Sequence, residues 1–83
     1  VEIVFSKTAA RALLRSNKRA LIRQKIGDLA ANPLSLSANV KRLHGRAEYR
    51  LRVQDWRIIF RIEDGTLWID DVAPRGSAYE VTE

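Results

Sequence analysis

Apolar and polar positions divide the chain into stretches of two different periods. Residues 1–5, V-E-I-V-F, alternate and carry β-branched and aromatic side chains, which predicts a short strand. From Ser6 the period changes. In K-T-A-A-R-A-L-L-R (7–15) the apolar residues Ala9, Ala10, Leu13 and Leu14 recur at helical spacing, predicting a helix with one inward face and Ser6 as its N-cap. Ser16-Asn17 interrupts that pattern, and Asn17 is the expected cap of a second helix from Lys18 to about Ala31. Its stripe is Leu21, Ile22, Ile26, Leu29 and Ala30, and Asn32-Pro33 ends it because a residue before proline avoids the helical region. So short a turn between two helices predicts an antiparallel helical hairpin.

Residues 33–47 keep no steady period and are expected to form a loop, in which K-R-L-H-G (41–45) is a basic element with one apolar anchor. Period 2 returns in Y-R-L-R-V (49–53), W-R-I-I-F-R-I (56–62) and L-W-I-D-D-V (67–72). Gln54-Asp55 separates the first two, and Asp64-Gly65 supplies a hairpin signal between the last two. The fold class is therefore α+β, in the order β-α-α-β-β-β: an antiparallel sheet with a helical hairpin packed on one face, in one domain over residues 1–83.

A two-residue turn at Gln54-Asp55 also sets the register. Val53 then faces Trp56, Arg52 faces Arg57, Leu51 faces Ile58 and Arg50 faces Ile59. Tyr49, Leu51, Val53, Trp56, Ile58, Phe60 and Ile62 should line the core face. The other face should carry Arg50, Arg52, Arg57, Ile59 and Arg61, joined by Trp68 and Asp70 from the last strand.

Composition removes several function classes. The 83 residues contain no Cys and one His, His44, which excludes disulfides and thiolate or His-based zinc sites; no metal or cofactor is expected. No apolar run reaches the roughly 18–20 residues of a membrane span, and no signal-peptide pattern opens the chain, so a cytoplasmic protein is expected. The absence of Met predicts a processed N-terminus.

The net charge of +5 is unevenly spread: residues 1–47 carry +8 and residues 48–83 carry −3. Attraction to a polyanion should come from the first half. In the acidic second half every basic residue is Arg, whose planar fork grips phosphate in two-pronged fashion. Like charges facing each other across strands destabilise a sheet, so four arginines on one face call for an explanation. Either Asp55, Glu63 and Asp70 neutralise them in surface ion pairs, or the face binds phosphate, with Trp68 or a tyrosine stacking on a base.

Three segments resemble the RelE branch of the RelE/ParE toxin superfamily of type II toxin–antitoxin pairs. Lys41-Arg42-Leu43-His44-Gly45 is similar to a basic K-x-L-x-G approach; residues 49–60 are close to the hairpin Y-R-L-R-V-G-D-Y-R-V-I-Y; and Val72-Ala73-Pro74-Arg75 with Tyr79 is similar to V-x-H-R-x-x-x-Y. The resemblance implies a metal-independent, ribosome-dependent mRNA endoribonuclease in which the substrate's 2′-hydroxyl attacks the adjacent phosphate. It implies Arg52, Arg57, Arg75 and Tyr79 as catalytic residues: Arg57 on the phosphate, Arg75 at the leaving group and Tyr79 stacked on the substrate. Arg50, Arg61, Lys41 and Arg42 are the expected RNA-binding residues. Ribosome, mRNA and a cognate acidic antitoxin are the implied partners.

Two departures from the pattern, at three positions, matter. Arg50 and Arg52 stand where better-known members have Lys, and a guanidinium, which holds its proton throughout the physiological range, is a poor general base. Pro74 replaces a His, removing an acid/base group. These changes keep open a gyrase-inhibiting, ParE-like toxin, and a non-catalytic RNA- or DNA-binding domain is the reading outside that family. His44 reads as a solvated loop residue.

Overall fold

The computed structural model describes residues 2–32, 39–45 and 47–74. Within them the elements are β1 (Glu2–Phe5), α1 (Lys7–Arg15), α2 (Arg19–Ala31), β2 (Val40–Arg42), β3 (Tyr49–Val53), β4 (Trp56–Glu63) and β5 (Thr66–Pro74). The strands form one sheet in the order β1-β5-β4-β3-β2.

The α+β class holds, with two corrections to the layout. The sheet is mixed rather than antiparallel: β1 pairs parallel with β5, Ile3 against Leu67 and Phe5 against Ile69. The helices carry the chain away after β1, so the strand is free to join the far edge in the direction of β5. The stretch expected to be all loop also contributes a fifth strand, β2, which pairs antiparallel with β3.

Local chemistry explains the helix starts. Ser6 is the N-cap of α1, its hydroxyl accepting from the Ala9 N–H at 3.0 Å. The same hydroxyl donates to the Asp70 carbonyl at 2.9 Å, and the Ser6 N–H donates to the Ile69 carbonyl at 3.0 Å, which pins the helix start to β5. Asn17 does not cap α2. The N-cap position is Lys18, with no side-chain cap, while the Ser16 hydroxyl accepts the Lys18 N–H at 3.0 Å. Ser16 is buried and stands two residues before that donor, the spacing of a turn closed by a serine hydroxyl. Arg19 closes the joint by donating from its guanidinium to the Leu14 carbonyl near the end of α1.

The core lies between the helices and one sheet face. Ala9 and Leu13 of α1 and Ile22, Ile26 and Leu29 of α2 meet Leu51, Val53, Ile58, Phe60, Leu67, Ile69 and Val72. Tyr49 and Phe60 stack with ring centroids 5.6 Å apart. Of the predicted core face only Ile62 departs, being 46% exposed. It lies next to the Asp64-Gly65 turn, whose φ values of 52° and 74° are the pair a type I′ hairpin requires.

One irregularity re-aims β5. Ile59 faces Asp71 but Phe60 faces Ile69, so Asp70 is an extra residue in the ladder. This bulge lets Ile69 and Val72, three positions apart, both reach the core. No helix among the described residues is long and apolar enough to cross a membrane.

Candidate anion-binding site

The β3–β4 register agrees with the sequence-based expectation at every pair: Val53 with Trp56, Arg52 with Arg57, Leu51 with Ile58 and Arg50 with Ile59. Since Leu51, Val53 and Ile58 are core residues, alternation puts Arg50, Arg52 and Arg57 on the face away from the helices. β2 adds Lys41 directly beside Arg50. Arg42, by contrast, pairs with Tyr49 and falls on the helix-side face, apart from the other proposed RNA contacts.

These side chains build a cleft of about 620 Å³ at the β2 end of the sheet, lined by Lys41, Arg50 and Arg52 together with Asn39, Gln54 and Asp55. A smaller crevice of about 60 Å³ shares Arg50, Arg52 and Gln54 with it and adds Arg57. Desolvation, and then the like charges of Arg57 and Arg52, hold the Arg50 guanidinium below its ordinary pKa. Gathering three guanidinium groups in this way opposes folding, and an anion seated among them reverses that effect.

The apolar floor of this face is also organised. Ile59 is fully buried, and Leu43, just beyond β2, is 2% exposed with its N–H donating to the Glu48 carbonyl at 3.0 Å. Leu43 is thus the buried apolar anchor expected from K-R-L-H-G, directly after β2.

Arg61 occupies a different setting. Its Nε donates to Asp70 Oδ2 at 3.1 Å, its Nη1 contacts Glu63 Oε1, and its guanidinium lies over the Trp68 ring, 4.9 Å from the centroid. Two of the three acids considered as neutralisers therefore act on Arg61, whereas Asp55 lines the cleft. The ion-pair reading holds at Arg61. Arg75 and Tyr79 lie outside the described residues.

Asn39 and Gln54 escaped the sequence reading as site residues because one sits in a polar loop and the other in a turn. Only the pairing of β2 with β3 brings Asn39 to the cleft. Among the described residues no three His, Asp or Glu side chains converge as a metal ligand set. On helix-side ground, β1, α1 and α2 frame a groove of about 420 Å³ lined by Ile3, Phe5, Leu13, Leu14 and Ile26, with Arg23 at its margin.

A family model described as the ParE toxin of the type II toxin–antitoxin system parDE matches residues 3–79. Comparison with curated proteins returns no match. Among solved structures, the chain is similar to the archaeal RelE–RelB complex of Pyrococcus horikoshii, at 25% identity and TM-score 0.76 over 93% of this chain and 97% of that one. The RelB–RelE complex of Methanococcus jannaschii aligns at 26% identity and TM-score 0.73, covering 93% and 95%. The RelBE2 toxin–antitoxin complex of Mycobacterium tuberculosis aligns at 28% identity and TM-score 0.70, covering 89% and 96%.

Proposed function

Because the chain belongs to the ParE toxin family of type II toxin–antitoxin systems, within the RelE/ParE superfamily, we propose that it stops growth by cutting mRNA on the ribosome. The observation that carries this reading is the gathering of Arg50, Arg52 and Arg57 around one small crevice, with Lys41 beside them. Phosphodiester cleavage by a neighbouring 2′-hydroxyl passes through a pentacovalent phosphorus with added negative charge. Fixed guanidinium groups stabilise that charge without reorganising. Arg57 and Arg52 serve as the phosphate clamp, and Arg50 and Lys41 hold the flanking backbone. The 2′-oxygen bonds to phosphorus, the bond to the 5′-oxygen breaks, and the products are a 2′,3′-cyclic phosphate and a 5′-hydroxyl.

Proton transfer is the step for which this site is least equipped, since an ordinary guanidinium is a poor base. A group of the ribosome takes the 2′-hydroxyl proton while the charge of Arg52 assists that oxygen, and Arg75 assists the leaving oxygen while Tyr79 stacks on the substrate. Such a toxin works in the cytoplasm, as one domain over residues 1–83.

Its partner is a cognate antitoxin. Residues 7–31 hold seven Lys or Arg and a single acid, Asp28, which favours an acidic partner and fast association at low salt. The apolar groove between β1 and the helices, with Arg23 at its margin, suits an amphipathic antitoxin segment bearing carboxylates.

Primer extension on an mRNA translated with and without the protein tests the reading. Cuts confined to ribosome-occupied codons, and lost in Arg57→Ala, support it; undiminished cutting by Arg57→Ala sinks the site. The match to a ParE family model favours a second reading, gyrase inhibition, for which a supercoiling assay is decisive.

A further inference from the structure

We propose that the RNA track runs on from the arginine cleft over the open margin of β3 and onto α2, where Lys25 holds a further backbone phosphate. The inference rests on the RNA-cleavage reading and adds to it a contact on the helix side of the sheet.

The ladder between β2 and β3 stops at Val40 with Leu51, so Arg52 and Val53 lie on a margin that β2 does not cover. Alternation sends their side chains to opposite faces, Arg52 to the cleft and Val53 to the core that α2 covers. A hollow of about 340 Å³ opens on the helix side of this margin, where Val53 meets Leu21 and Lys25 of α2. Asn39, Arg52 and Gln54 line it as well, and the same three residues line the arginine cleft. The two hollows therefore meet at the margin. Arg52 borders both of them and also the small crevice with Arg57.

Lys25 differs from the other helical cations. Lys7, Arg11, Arg15, Lys18, Arg19 and Arg23 are exposed, whereas Lys25 is half-buried. Leu21 precedes it by one turn, so the two share a face of α2 beside the buried stripe of Ile22, Ile26 and Leu29. Such burial suits a carbon stem laid along apolar side chains with the ammonium at the mouth of the hollow. Among the described residues Lys25 has no ion-pair partner, so its charge is open to a ligand.

A single strand clamped by one phosphate at Arg52 carries its next phosphates onward at intervals of a nucleotide. The hollow offers one of them the Lys25 ammonium, and it offers the intervening sugar and base the apolar flanks of Leu21 and Val53. An acidic protein segment is the other polyanion to consider. The apolar groove that suits it, with Leu14 and Arg23, shares no residue with this hollow, whereas the arginine cleft shares three.

The probe is a fluorescein-labelled hexauridylate, fully 2′-O-methylated so that it cannot be cut, titrated by anisotropy at several salt concentrations. Lys25→Ala should weaken its binding about fivefold at low salt, the upper end for one exposed ion pair. The salt slope should fall by about 0.7, the value of one phosphate of a single strand. Lys25→Arg should bind as the wild type does, and Arg11→Ala, which removes the same charge from α1, should leave affinity and slope unchanged. On methyl-labelled wild-type protein the oligomer should shift the NMR resonances of Leu21 and Val53 and leave those of Leu14 in place. Wild-type affinity in Lys25→Ala, or an equal loss in Arg11→Ala, would overturn the track. So would loss of antitoxin co-purification by Lys25→Ala with RNA affinity intact, which assigns the lysine to the protein partner. Each of these results leaves cleavage on the ribosome standing. A wild-type protein that neither binds the oligomer nor cuts ribosomal mRNA would remove the parent reading, and the track with it.

Discussion

Arg52 and Arg57 stand directly opposite each other at the end of the β3–β4 hairpin, one pair in from the Gln54-Asp55 turn. Facing like charges lower stability, and catalysis of phosphate transfer asks for this arrangement. Arg52→Ala should therefore separate the two properties. Ribosomal mRNA cleavage should fall by about 10²-fold or more, as when one fixed donor to a developing oxyanion is removed. The melting temperature should hold or rise, because the opposed pair is relieved by a few tenths of a kcal/mol. Cleavage rates and thermal melts on the same samples decide it.

Arg50 has a pKa lowered by burial and by its two arginine neighbours. As pH rises, the native state releases this proton before the unfolded state does, so the group's contribution to stability increases with pH. That window lies between the lowered native value and the ordinary guanidinium value, in the strongly alkaline range. Through neutral pH the group is charged in both states and adds no slope. The difference in urea midpoint between wild type and Arg50→Gln should thus be constant from pH 6 to 9. Inorganic phosphate should raise the wild-type midpoint more than that of the variant.

Leu43 is buried directly after β2, the strand that carries Lys41 to the cleft. Leu43→Ala should cost about 2–4 kcal/mol, the range for emptying a buried leucine site, and should weaken phosphate binding more than a core change remote from β2. A calorimetric titration of each variant against phosphate makes the comparison.

Asp70→Asn should release Arg61 from one of its two acids. An exposed pair is worth about 0–1 kcal/mol, so stability should fall little. RNA affinity should rise at low salt, with the salt dependence steepening by up to about one counterion.

Leu14 is 62% exposed on the helix-side groove, on the opposite side of the sheet from the arginines. Leu14→Glu should abolish co-purification with the antitoxin while cleavage by the free toxin is retained. Loss of both would show that the substitution damages the fold.

The hairpin register was legible because a two-residue turn and strict alternation leave one solution for residues 49–60. β2 was not, because three residues in a polar loop become a strand only by pairing with β3, a contact that no local pattern encodes. The grouping of Arg42 with Lys41 failed for the same reason: adjacency in a loop says nothing of faces, and adjacency in a strand puts neighbours on opposite ones. The bulge left a trace, since Asp70 and Asp71 interrupt the alternation between Ile69 and Val72. Asn39 comes to the cleft only through the pairing of β2 with β3, and that is a property of the sheet rather than of its own segment.

The parallel seating of β1 beside β5 bears on the order of assembly. Ser6 and Asp70, which bolt α1 to β5, are 64 positions apart in the chain. During synthesis the first strand and the first helix therefore have no docking site until β5 has been made, and closing so long a loop slows the final step. The β3–β4 hairpin can form earlier from local contacts, but it lacks a covered apolar face until the helices arrive. In a toxin of this topology the fold therefore closes last along the β1–β5 seam, and the interval before closure is open to whatever neutralises it.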